Sequence, residues 1–517
     1  MTQEQICILI TIALYLGFML YLGARYSKST RSTDDFYLGG RRLGPYVTAM
    51  SAEASDMSSW LLMGLPGVAY LTGICEPIWT ALGLGIGTYF NWLIVAKRLR
   101  HYSEIVDAVT VPSFFDKRFR DKSHILLGAA AVVIVVFFVP YTASGFNACG
   151  TLFASLFGID YRVAMIVSAV VIVGYTAMGG FTAASTTDFI QSIVMSIALV
   201  MVLCFGISVA GGPGVVMADA AGLEGYLSLT HSYNAAGGEA VSYGGLLGIV
   251  STLAWGLGYF GMPHILLRFM AIRDPKEIKV SRRVGTVWVF IAMGVAIVIG
   301  MVALSMTKVG ALADLTVNGS TSAQRAIIEI ANLLASNGIF PALLAGVVMA
   351  GILACTMSTC DSQLLAASSS VSEDIIQGVF GIKVSEKMTL VIARVTLVII
   401  AVFAALWAWE EGSVFAIVSF AWAGFGAAFG PVMLCALFWK RANAWGAIAG
   451  MIGGGVTVFV WEYLVSPMGG IFAIYELLPA FIVGLVLCVA VSLLTPAPQQ
   501  AILDEFALAA KLDKEDK

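Results

Sequence analysis

What most limits the fold of this chain is a succession of apolar runs, each long enough to cross a bilayer, repeated from residue 5 to residue 494. A crossing helix needs about 20 mostly apolar residues, because hydrocarbon offers no partner to an unpaired backbone group. Runs of that kind lie at about 5–25, 44–71, 76–96, 125–152, 162–178, 184–211, 241–270, 283–307, 340–368, 388–409, 413–438, 444–464 and 472–494. They predict an all-α integral membrane protein with thirteen transmembrane helices in a single domain, about 1–498. A charged tail, 499–517, follows, expected to be a short helix or disordered. Only 12% of the residues are charged and 59% are hydrophobic, against about 25% charged in an average soluble domain.

Orientation follows from Lys and Arg, which are retained in cytoplasmic loops. With the N-terminus outside and the C-terminus inside, 26 of the 29 basic residues fall in inside-facing segments at 25–42, 97–122, 268–283, 383–394, 440–441 and 511–517. Only Arg162, Lys308 and Arg325 are left outside. Seven of the eight cysteines lie in apolar runs, with Cys75 near an external loop, so they read as small packing residues and no disulfide framework is legible. The first run starts with acidic rather than basic residues, which argues against a cleaved signal peptide.

Two runs are interrupted. The second contains "AEASDMSS" and then "GLPG"; the seventh contains "LAWGLGYFGMPH", with Gly256, Gly258, Gly261 and Pro263 close together. Gly and Pro weaken a helix, and unwound backbone at membrane depth is tolerated only where it lines protein or a cavity. Runs two to six and seven to eleven make two sets of five, each opening on an interrupted helix: about 44–211 and about 241–438. An odd number of crossings inverts the second set relative to the first, the arrangement of inverted-repeat secondary transporters, whose sites lie near the midplane where the broken helices face each other. The segments at about 212–240 and 308–338 are read as external loops, the second with a short helix in "SAQRAIIEIANLL".

Four acids lie at membrane depth: Glu53 and Asp56 in run two, Asp188 at the start of run six and Asp361 in run nine. Such groups are costly and face a bundle interior. No basic residue maps to the same depth, which points to a cation as their partner. In run nine, "CTMSTCDSQLL" places Ser358, Thr359, Asp361 and Ser362 within about one helical turn, where their oxygens either ligate a hard cation or hold neighbouring helices together. In run seven, Trp255, Tyr259 and Pro263 recur at intervals of four, so a helical segment presents them as one wall for a small solute, unless they simply pack against neighbours. Tyr141 in "VPYTASG" is a further candidate of this kind. The four histidines, His101, His124, His231 and His264, are scattered toward membrane edges and loops, and neither a nucleophile–base pair nor metal-ligand spacing is present, so enzyme chemistry is not expected.

Taken together, "TDDFYLGGRRLG", "SDMSSWLLMGLPG", "GGFTAASTTDFIQS", "WGLGYFGMPHILLRFMA" and "MSTCDSQLL" resemble the sodium:solute symporter family, and most closely its sodium/proline branch, over about residues 1–495. The resemblance implies a leucine-transporter-type core of five plus five helices, with one helix before it and two after. It also implies a sodium site in which Ala54, Met57 and Cys355 give backbone carbonyls and Ser358 and Thr359 give hydroxyls. Asp56 matches an acid of sodium coupling and Ser58 the serine beside it. Trp255, Tyr259, Pro263 and Tyr141 match solute-pocket positions. Asp188 and Ser362 stand where some relatives hold a second sodium ion, with Asp361 in addition.

The chain departs from that pattern where "SAEASDMSS" puts Glu53 and Ser59 in place of glycines, where Met262 replaces a glutamine, and where Cys355 replaces an alanine. Glu53 is therefore counted among the ion-coupling candidates and Ser59, with Ser58, among the solute-pocket candidates. The expected activity is sodium-coupled import of a small solute, with L-proline first and another small amino acid, a betaine or a carboxylate as alternatives. A transporter-like sensor is the remote alternative, disfavoured because only 23 residues follow residue 494. The expected partners are the solute, the co-transported sodium ion and the plasma-membrane bilayer, with no nucleic acid and no obligate protein partner.

Overall fold

A computed structural model describes residues 1–27, 33–178 and 180–515. In the motif around 33–44, the side chains of Thr33 and Asp34 lie outside what it describes, as do residues 28–32 and 179. Each of the thirteen apolar segments is helical: α1 (Gln3–Ser27), α2 and α3 (Pro45–Asp56 and Leu65–Thr72), α4 and α5 (Cys75–Phe90 and Ala96–Ile105), α6 (Ile125–Phe157), α7 (Tyr161–Met178), α8 (Phe181–Val209), α9 and α10 (Gly245–Leu253 and Pro263–Ala271), α11 (Ile278–Lys308), α12 (Ile339–Ser369), α13 (Glu386–Trp407), α14 (Val414–Phe438), α15 (Ala444–Val460) and α16 (Leu477–Leu494). Among the described residues, ten helices are long and apolar enough to span a membrane, and eleven if the bent pair α9–α10 is one span. The helix through Trp60–Thr72 and α7 are shorter, so the expected count of thirteen full-length crossings is not reproduced by length and composition.

Both interruptions are real breaks with local causes. α2 ends at Asp56, where Met57 N–H caps back to Glu53 O at 2.9 Å. Ser58 then turns to a φ of 21°, and a single π-helical stretch, Trp60–Gly64, leads into α3, which carries Pro66 in its first turn. After α9 the chain tightens into a 3-10 stretch, Ala254–Phe260, and Met262 is extended at φ −73° and ψ 108° before Pro263 starts α10. The two halves are bent by 46°. Proline has no N–H to give the preceding turn, so it favours a helix start; with Gly256, Gly258 and Gly261 just before it, Pro263 begins a new helix, whereas Pro140 and Pro431 are carried inside α6 and α14. Gly256 allows the 3-10 stretch to meet α4 backbone to backbone: a Cβ on it would sit 2.3 Å from the Gly83 carbonyl oxygen.

α2 packs against α8, α10, α11 and α12, which places the first break at the centre of the bundle. α1 lies along α12, and α15 and α16 pack on each other and on α14. Ahead of α2, Arg41 donates to the carbonyls of Met270 (2.7 Å) and Ala108 (2.8 Å), tying the loop before the first broken helix to the end of the second.

The segment at 212–240 is more ordered than a plain loop. It holds a helix, Pro213–Ala221, and most of an antiparallel hairpin, β1 (His231–Asn234) with β2 (Glu239–Ser242). Alternation in "HSYN…EAVS" around the Gly-Gly turn is the signal that composition alone obscured. The expected short helix in the next external segment is present at Ala326–Ala335. The tail is α17 (Gln500–Glu515), packed on α5.

Candidate functional site

The end of α2 and the middle of α12 meet face to face. Ser358 Oγ donates to the Ala54 carbonyl at 2.7 Å and lies 3.1 Å from the Cys355 carbonyl, which Thr359 Oγ1 also approaches at 3.1 Å. Four of the five groups expected to hold sodium are thus joined in one buried cluster of carbonyl and hydroxyl oxygens. The fifth, Met57, is fully buried at the helix end, and its carbonyl accepts a long 3.3 Å bond from Leu61 N–H. A set of neutral oxygens at a helix break suits a monovalent hard cation, which needs oxygen ligands without a dense cage of charge.

Asp56 is the junction of both breaks. Its Oδ2 accepts from Tyr259 Oη at 2.5 Å, on the 3-10 stretch, and its backbone carbonyl accepts from Tyr141 Oη at 3.2 Å, on α6. Its Oδ1 is buried without a hydrogen-bond partner among the described residues. Ser58 lies in the turn itself and accepts from Trp60 N–H at 3.3 Å, while the Ser59 hydroxyl is buried without a partner among the described residues. The solute-pocket candidates Tyr141, Ser58 and Tyr259 therefore converge on the end of α2 and the turn that follows it.

The expected single stripe through Trp255, Tyr259 and Pro263 is not formed. A 3-10 turn takes about three residues rather than 3.6, so positions four apart diverge, and the bend at Gly261–Met262 separates Pro263 onto α10. Instead, Trp422 of α14 unites the two aromatics: its ring lies 5.1 Å from Tyr259 and 6.3 Å from Trp255, and its Nε1 donates to the Trp255 carbonyl at 2.8 Å. Trp255 also stacks on Tyr475 at 5.1 Å and meets Trp60 and Phe415 at 6.1 and 5.5 Å. Three rings of this layer, Trp255, Phe415 and Tyr475, line a cavity of about 740 Å³ whose walls include Glu76, Tyr243, Thr252 and Ser419.

A cation does stand among the membrane-depth acids, contrary to the sequence expectation. Arg268, counted with the inside-facing loop, is only 1% exposed. It pairs with Asp188 Oδ2 at 3.1 Å and donates to Ser362 Oγ at 2.5 Å, Ser51 Oγ at 3.0 Å and the His264 carbonyl at 2.8 Å. Asp188 and Ser362 are thus brought together through a guanidinium. Arg268 falls at the last turn of run seven, and assigning it to the loop by its charge hid it. Asp361 faces elsewhere, accepting from Thr176 Oγ1 of α7 at 2.7 Å. His264, expected toward a membrane edge, is buried beside Tyr141 with ring centroids 6.3 Å apart.

Glu53 points away from the oxygen cluster. Its Oε1 accepts from Trp92 Nε1 at 2.9 Å, and Thr88 Oγ1 lies 3.4 Å from each carboxylate oxygen. Gly285 of α11 makes the room: a Cβ there would stand 2.8 Å from Oε1. None of Thr88, Trp92, Gly285, Ser51 or Trp422 carried a sequence signal of its own, because each is an ordinary residue of a membrane helix.

Two broken helices crossing at the centre of a helical membrane bundle, with buried oxygens at one break and an aromatic layer at the other, define a secondary transporter. The model of the sodium:solute symporter family matches residues 36–454, and the chain belongs to that family. It is 42% identical to the sodium/proline symporter of Haemophilus influenzae over 98% of its own length and 99% of that protein's. It is 39% identical to the osmoregulated proline transporter OpuE of Bacillus subtilis, over 99% of both chains, and 41% identical to the high-affinity proline transporter PutP of the same organism, over 94% and 98%. Its fold is that of a sodium-coupled sialic acid symporter solved in a substrate-bound outward-open state, with a TM-score of 0.77, 19% identity and coverage of 96% and 99%.

Proposed function

We propose that this chain is a sodium-coupled symporter that imports L-proline across the plasma membrane by alternating access. The observation that carries the reading is the Ser358–Ala54–Cys355–Thr359 cluster, which presents neutral oxygens at the first helix break two residues from the Asp56 junction. Proline is the solute because three relatives near 40% identity over almost the whole chain are named for it. In this reading sodium seats between α2 and α12, Asp56 holds Tyr259 and Tyr141 in place around the solute, and the repeats about 44–211 and 241–438 rock to open the site inward. Asp361 and Asp188 with Ser362 flank the pathway, Arg268 already filling the space between the latter two. The N-terminus lies outside and the tail inside, following the Lys and Arg distribution.

Each charge that moves inward through 100 mV contributes about 2.3 kcal/mol, so one sodium ion, with its concentration gradient, drives concentration of a zwitterion. The test is uptake of labelled proline by purified protein in liposomes. An imposed inward sodium gradient should produce accumulation above the equilibrium level; accumulation indifferent to that gradient removes the sodium reading. Met262, buried where the family resemblance leads one to expect a glutamine, favours a second reading in which the solute is another small amino acid, a betaine or a carboxylate. Competition of proline uptake by those compounds separates the two.

A further inference from the structure

A second cavity, of about 490 Å³, lies between α5, the start of α11 and the tail helix α17. Lys97, Lys276, Lys279 and Arg282 line it, opposed by the single acid Asp513 of the tail. Beside them the wall is apolar and open: Leu93 is 40% exposed, Ile94 38% and Phe438 44%. The Arg282 guanidinium lies over the Tyr89 ring, 5.3 Å from its centroid, and its Nε is buried without a hydrogen-bond partner among the described residues. Exposed apolar side chains on a spanning helix face acyl chains, and the cations sit at the helix ends that carry the inside-facing excess of Lys and Arg. A pocket that is cationic at the headgroup level and apolar directly below it matches an amphiphile with an anionic head.

We propose that this pocket binds the phosphate headgroup of an anionic phospholipid of the cytoplasmic leaflet, its acyl chains lying along Leu93 and Ile94. Planar guanidinium and ammonium donors together suit a phosphodiester, the guanidinium by a fork of N–H groups and the lysines as point charges. A soluble phosphate satisfies the cations but leaves the apolar wall bare, which is why a lipid is the occupant. Asp513 then competes with the headgroup for the same cations, and α17 is held at that spot by Arg98 and Arg118, whose guanidinium carbons lie 4.8 and 5.4 Å from the Phe506 ring centroid. The inference is independent of which solute is carried, and depends only on this end of the bundle facing the cytoplasm.

The full-length purified protein is equilibrated with equal amounts of phosphatidylglycerol and phosphatidylcholine, and retained lipid is read by native mass spectrometry. Wild type is expected to retain phosphatidylglycerol at least about five-fold over phosphatidylcholine. Lys279→Gln with Arg282→Gln should abolish that preference, Lys279→Arg with Arg282→Lys should keep it, and Asp513→Asn, which leaves the pocket cations intact, should raise it. Millimolar inorganic phosphate should not displace the lipid. Equal retention of the two lipids by wild type, an undiminished preference in the double Gln variant, no rise in Asp513→Asn, or displacement by inorganic phosphate each overturns the proposal, the last by making the site one for a free anion.

Discussion

Glu53 and Gly285 are a matched pair: a carboxyl that needs space and a glycine that leaves it. Replacing Gly285 by Ala forces a Cβ to within 2.8 Å of Glu53 Oε1, and overpacking of this kind costs about 1–3 kcal/mol. In a Glu53→Gly background the same alanine fills vacated space, so a double-mutant cycle on thermal unfolding should give a coupling of about 1 kcal/mol or more. Additivity of the two changes means that Glu53 does not occupy that position. Glu53→Gly alone strands the Trp92 N–H, which in a buried site costs about 1–3 kcal/mol, whereas Glu53→Gln retains an acceptor. The identity of Glu53 as a departure was readable in sequence; its direction was not, since its partners Thr88, Trp92 and Gly285 are 35 residues away or more. Arg268 shows the opposite failure. Its place in run seven was readable, but a charge count assigns cations to loops and has no way to register one whose cost is offset by an acid from a different helix.

At the scale of elements, both breaks were legible because Gly and Pro cluster there: a lone proline does not end a helix in this chain, since Pro140 lies inside α6 and Pro431 inside α14, but Pro263 follows Gly256, Gly258 and Gly261. The form of each break was not, because it depends on what packs there. The 3-10 stretch persists where Gly256 lets its backbone touch α4. Gly256→Ala places a Cβ 2.3 Å from the Gly83 carbonyl, with only backbone on both sides to yield. The expected outcome is a lower melting temperature, by the equivalent of about 1–3 kcal/mol, and loss of solute uptake even in protein that remains folded. Wild-type uptake and stability in that variant would mean the two elements are not in contact. The aromatic layer rests on the same break, which is why regular four-residue spacing misread it: the period assumed was that of an α-helix, and the local period is shorter.

At the scale of the molecule, the tail is part of the body. Ile502 and Ala509 are buried, Phe506 sits under two arginines, and Arg120 pairs with Glu505 at 2.5 Å. Phe506→Ala removes the shared aromatic face, and cation–π contacts of this kind are worth about 0.5–2 kcal/mol each. Limited proteolysis should therefore cut the variant within 500–515 at concentrations that spare the wild type; equal cleavage of both shows the tail is not docked through that ring. Apolar run lengths made the helical body legible, whereas a short amphipathic tail has no such signature until its partner surface is known. The Asp188–Arg268 pair bears on a different property of the whole machine. Being electrically neutral as a unit, it can be carried through the membrane field with no net work, while an unpaired charge would contribute about 2.3 kcal/mol per 100 mV. Voltage then has little grip on that part of the scaffold and acts chiefly on what is bound and on the membrane-depth acids that lack a cationic partner, so the charge displaced when the transporter changes state reports those groups and not this pair.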